Sequence, residues 1–229
     1  IARIAGSDPL PPAIPFPYPL TPTSTMPERP NILYFHTHDT GRYVRPYGYA
    51  VPSPNYQRLA ESGLTFKRMH CVAPTCSPSR AALLTGQYPH QCGMIGLDHL
   101  GAELDDYGRH LVHHLRPAGY RSTLIGFQHI TDWTEHGRIG YDEVVTSGPD
   151  STAAQVVPQA TAWLERRGSQ EAPFFLDVGI TETHRPFPEE IDEAEARYLR
   201  PPAPFPDTAV FRRDMATYLA SLRRADEAL

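Results

Sequence analysis

The chain has 229 residues, 40% hydrophobic and 21% charged, with a formal net charge of -5. That length is enough to bury a sizeable core in one large domain or two small ones, and its scattered, mixed-sign charges form no basic stripe for a nucleic-acid backbone. Three cysteines are too few and odd in number for a disulfide framework, no apolar run could span a bilayer, and no signal peptide opens the chain, so the sequence reads as soluble, away from membranes, and cytoplasmic.

Residues 1–28 (IARIAGSDPLPPAIPFPYPLTPTSTMPE) are too rich in proline for a helix or a central strand. They read as a disordered or non-native leader, with Met26 as the natural start and residues 29–229 as the folded part. Residues 31–37 (NILYFHT) form an apolar, aromatic run that predicts a buried strand, followed by a loop at His38-Asp39-Thr40-Gly41. A helix is expected over 54–62, with Pro54 near its start and Gly63 as its stop, and another over 79–85 with Gly86 behind it.

Farther along, residues 109–115 predict a helix ended by Pro117 and Gly119, and 121–127 (RSTLIGF) a strand. Residues 156–167 predict a helix with Pro158 near its first turn, and 173–180 (PFFLDVGI) a fully buried strand. Val210, Phe211, Met215, Leu219 and Leu222 recur at helical spacing to the last residue, which suggests a truncated fragment. Strands alternating with helices point to a layered α/β domain with a mostly parallel sheet.

The segment Cys76-Ser77-Pro78-Ser79-Arg80 carries the most chemistry. A nucleophile at a helix N-terminus meets unpaired backbone N–H groups and the positive end of the dipole, which favour an anion. Arg80 adds a permanently charged donor fork suited to oxyanions. For Cys71 and Cys92 the plain reading is a buried free thiol.

Cys76-x-Pro78-Ser79-Arg80 followed by Leu84-Thr85-Gly86 resembles the signature of the type I sulfatases of the alkaline-phosphatase-like superfamily. RPNILYFHTHDTG, GYRSTLIGFQHI and PFFLDVGITETHRPF resemble further blocks of that family, and HQCGMIGL with the HDTGR loop is most similar to bacterial relatives of heparan N-sulfatase. The resemblance implies a three-layer alkaline-phosphatase-like sandwich, of which 29–229 would be the N-terminal part of the catalytic domain. It also implies that a formylglycine-generating enzyme oxidises Cys76 to Cα-formylglycine. One hydroxyl of the hydrated aldehyde then attacks sulfur, and the other, once deprotonated, expels sulfate.

The same resemblance implies a calcium ion, with magnesium or another divalent cation as substitutes, held by Asp39, His38 and the side chain at Cys76. His38 stands where the family pattern has a second aspartate, and a softer nitrogen ligand there could favour a transition metal. His184, in Thr183-His184-Arg185-Pro186, would contact sulfate and protonate the leaving group, with Arg185 as a further substrate contact. His129 would help deprotonate the diol, and Phe127 replaces the lysine usual two residues before it. His36, His90 and His99 carry no comparable signal, although His90 could line the pocket.

The implied activity is hydrolysis of a sulfate ester or sulfamate, on a sulfated carbohydrate. The alternatives are a phosphonate monoester or phosphodiester hydrolase of the same superfamily, and an inactive truncated fragment.

Overall fold

The computed structural model describes residues 29–145, 148–167, 172–188 and 191–229, so the leader expected over 1–28 lies outside the described residues. Four strands, β1 (Ile32–His36), β2 (Arg121–Gly126), β3 (Glu143–Val145) and β4 (Phe174–Gly179), form one parallel sheet in the order β1-β4-β2-β3. Among the described residues seven α-helices accompany it: α1 (Pro54–Ser62), α2 (Cys76–Thr85), α3 (Pro89–Cys92), α4 (Leu111–Leu115), α5 (Ala153–Arg166), α6 (Glu193–Ala196) and α7 (Ala209–Glu227).

β4 reads as a continuous apolar run because both of its faces are covered. Leu176 and Val178 pack with Val156, Ala160 and Trp163 of α5 and Ala225 of α7. Phe175, on the opposite face by the two-residue period of a strand, packs with Ala81 and Leu84 of α2 and Val112 of α4. Helices on both faces of one parallel sheet make the three layers that the sequence predicts.

Most predicted elements lie where expected, and the differences have local causes. α2 starts at Cys76, three residues before the expected helix, since Pro78 in the first turn lacks an N–H that would have no intrahelical partner anyway. Gly86 ends it in the left-handed conformation at φ 69. α5 likewise starts early, which puts Pro158 inside the helix. The helix expected over 109–115 divides, because the buried His110 leaves helical geometry and caps α4 by accepting from the Val112 N–H. β3 is missed from sequence because three residues give no readable periodicity.

Burial lowers the His110 pKa to about 4, and its Nε2 has no hydrogen-bond partner. The folded chain therefore holds this ring neutral, while the unfolded chain, titrating near 6.5, takes up a proton that the fold refuses. Stability attributable to His110 is complete above pH 6.5 and falls by about 3 kcal/mol as the pH drops to 4. Urea unfolding at pH 7 and pH 4 should show this loss, and His110→Asn, which keeps a capping acceptor without the titration, should flatten it.

Candidate active site

Three strands deliver their loops to one edge. The parallel register pairs His36 with Gly179 and Gly126 with Gly179, so β1, β4 and β2 end level at their carboxyl ends, where open α/β sheets bind ligands. A Cβ at Gly179 would collide with Phe127 O and the His36 ring, so only glycine lets the three chains come this close. Beyond the strands the His38 N–H donates to Glu182 O at 2.8 Å and the Thr183 N–H to His38 O at 2.6 Å, joining the loops after β1 and β4.

The N-terminus of α2 meets this edge. Cys76 is its first residue and Arg80 follows one turn later, which places the two on one helix face. Both line a cleft of about 600 Å³ with His36, Thr37 and Asp39. Arg80 donates to His36 Nδ1 at 2.6 Å and to Thr37 O at 3.1 Å, with its Cζ 5.5 Å from the Phe127 ring centroid. Burial, reinforced by the negative charge of Asp39, raises the Cys76 thiol pKa, and Arg80 only partly opposes this. A resting thiolate is disfavoured here, unlike the depressed cysteines of thiol enzymes.

His129, held at φ 62, lies 2.9 Å from Asp98 Oδ1 through Nε2. The carboxylate can only accept, so the hydrogen resides on Nε2 and the Nδ1 lone pair is left facing His38 Nε2 at 3.4 Å. Asp98 also accepts from Ser77 Oγ at 3.1 Å, which ties it to the first turn of α2. Burial pushes the Asp98 carboxyl up, but His129, the His99 backbone and Ser77 outweigh it and hold the pKa at about 2.

Asp39 sits in the left-handed region at φ 59, and its side chain is 55% exposed. The His38 ring beside it, ahead of the opposing effect of burial, keeps this carboxyl below the usual range. His38 Nδ1 is buried 2.9 Å from Asp39 Oδ1, yet at an angle that makes no hydrogen bond. His184 Nε2 lies 3.9 Å from Asp39 Oδ2, and its Nδ1 donates to Arg185 O at 2.6 Å. Because a carbonyl can only accept, Nε2 is the atom of His184 at which a proton comes and goes.

Ligand atoms of His38, Asp39 and His184 lie within 4.8 Å of one another, as do those of His38, Cys76 and His129 and those of Asp98, His99 and His129. The buried, unpartnered His38 Nδ1 aimed at a carboxylate is what a bound cation would satisfy, so these residues fit a divalent ion. Cys76, Arg80, His129, His184, His38 and Asp39 are thus brought together.

Arg185 turns elsewhere, donating to both oxygens of Asp214 at 2.7 and 2.6 Å. His90 is exposed and stacked on Tyr88. Sequence reasoning missed Ser77, Asp98, His36 and the His99 ring that stacks on His129. Ser77 lay inside the quoted motif, whereas Asp98 and His36 had no local signal.

The sulfatase family model matches residues 30–229. This chain belongs to the sulfatase family. It is 30% identical to an ulvan-active sulfatase of Formosa agariphila over 167 residues, covering 69% of this chain and 26% of the relative. It is 32% identical to human N-sulphoglucosamine sulphohydrolase over 143 residues, covering 59% of this chain and 28% of the relative. The chain thus spans about a quarter of the length of these curated relatives.

Solved structures of the alkaline-phosphatase-like fold agree. A protein in complex with its substrate D-glucosamine-2-N,6-O-disulfate superposes with a TM-score of 0.60 at 23% identity, over 77% of this chain and 40% of that one. The phosphonate monoester hydrolase of Agrobacterium radiobacter superposes with a TM-score of 0.62 at 18% identity, over 87% of this chain and 57% of that one. Among the described residues no helix is long and apolar enough to cross a membrane.

Calcium takes oxygen ligands, whereas imidazole suits softer divalent metals. His38→Asp should therefore raise calcium affinity about tenfold and weaken zinc binding, a reversal that titration calorimetry with each metal can read.

Proposed function

We propose that this chain carries the nucleophile of a sulfatase that hydrolyses sulfate esters or sulfamates on a sulfated carbohydrate. The observation that carries the reading is the placement of Cys76 and Arg80 on the first turns of α2, at the edge where Asp39, His129 and His184 converge. Sulfated sugars are the substrate class favoured by the names of the curated relatives, an ulvan-active sulfatase and an N-sulphoglucosamine sulphohydrolase.

After a formylglycine-generating enzyme has oxidised Cys76, that side chain supplies the attacking oxygen. Asp39 and His38 would hold a divalent cation, calcium by analogy with the family, which lowers the charge density on the sulfate oxygens. Arg80 is a preorganised cation beside position 76 and stabilises negative charge developing there. His129 accepts the proton from the nucleophile at Nδ1, because Asp98 holds its Nε2–H and leaves the Nδ1 lone pair free. His184 delivers the proton to the departing alcohol or amine from Nε2, with Nδ1 anchored on Arg185 O. Phe127, where a lysine is usual, touches the His38 and His129 rings and makes that wall apolar.

Co-expression with a formylglycine-generating enzyme should convert the Cys76 thiol to an aldehyde, read as the mass change of the peptide spanning it. The matured protein should then turn over nitrophenyl sulfate faster than a nitrophenyl phosphonate monoester; the opposite order would favour phosphorus chemistry, and an unmodified Cys76 would sink the reading. Asp98→Asn should leave the fold intact and lower kcat by about 10- to 100-fold, because the His129 ring loses its orienting carboxylate.

A further inference from the structure

Asp177 is fully buried in the middle of β4, where an apolar side chain would ordinarily fill the space. A carboxylate in such a place is costly unless hydrogen bonds and compensating charge surround it. Its Oδ2 accepts from the Tyr141 hydroxyl at 2.5 Å and its Oδ1 accepts from His36 Nε2 at 2.8 Å. On the other side of the same ring, His36 Nδ1 accepts from Arg80 at 2.6 Å.

This geometry admits one protonation pattern. A guanidinium can only donate, so Nδ1 must offer its lone pair and the single ring hydrogen must sit on Nε2, where the carboxylate takes it. Tyr34 stacks on the ring with centroids 4.7 Å apart and limits its rotation. The negative charge of Asp177 thus compensates Arg80 through one imidazole, and Thr37 O holds a second nitrogen of the fork.

We propose that Asp177 and His36 are positioning residues of the sulfatase reaction, a buried carboxylate–imidazole pair that fixes the Arg80 fork beside the nucleophile at position 76. The proposal rests on the reading of Cys76 and Arg80 given above. Asp177 is wholly buried and does not line the cleft, which His36 borders beside Arg80. With Asp177 made neutral, the ring is released to carry its hydrogen on Nδ1, where it would confront the Arg80 donor and displace the guanidinium. The pair acts through Arg80 alone, so its removal costs nothing further once the fork is gone.

A double-mutant cycle on the matured, full-length enzyme tests this, with nitrophenyl sulfate as the probe. Asp177→Asn is expected to lower kcat about a hundredfold with KM within about twofold. In an Arg80→Lys background the same change should have no further effect, whereas a merely structural role would make the two losses multiply. His36→Gln, which disturbs the sheet less, should give the same pattern, and thermal unfolding shows that each variant is folded.

Multiplicative losses in either cycle, or wild-type kcat in folded Asp177→Asn, would overturn the proposal while leaving the sulfatase reading in place. A matured wild-type enzyme that hydrolyses no sulfate would overturn both.

Discussion

The register of β4 between β1 and β2 is the constraint on which the site depends. Because His36, Gly179 and Gly126 stand in one row across three parallel strands, the loops that follow them leave the sheet at the same level. Had one strand slipped by a residue, its side chains would have exchanged faces and its loop would have left at another height. The glycine at the centre of the row is there because any side chain would strike Phe127 O and the His36 ring. Two backbone hydrogen bonds between His38 and the Glu182-Thr183 segment then hold the loops together beyond the sheet.

Around Arg80 the chain sets three carboxylates, each beside an imidazole: Asp39 with His38, Asp98 with His129, and Asp177 with His36. Their exposure separates them. Asp39 is 55% exposed, Asp98 is 8% exposed against the His129 ring, and Asp177 is wholly buried against His36 and Tyr141. A cluster this rich in imidazole has less fixed negative charge than an all-carboxylate site.

The larger elements were legible because they follow from short-range chemistry. PFFLDVGI is too apolar to lie anywhere but the middle of a sheet, and Pro54 with Gly63 bounds α1 as expected. The boundaries that differed lie at helix starts: Pro78 sits in the first turn at Cys76, the His110 ring caps α4, and at Ala153 the distant Glu182 carboxylate accepts from the backbone N–H. Ser77, Asp98 and Asp177 were not legible as site residues, since a serine beside a proline, an aspartate in a loop and an aspartate in a strand look alike whether or not they touch a histidine.

By itself the sequence determined the sulfatase family and the parallel α/β architecture, because the family's motif blocks and the strand patterns are contiguous and carry their meaning locally. Only the tertiary structure decided which partner each histidine meets. His36 lies 141 residues from Asp177 and 44 from Arg80. A pairing over such separations is set by sheet order and register, which no local pattern encodes.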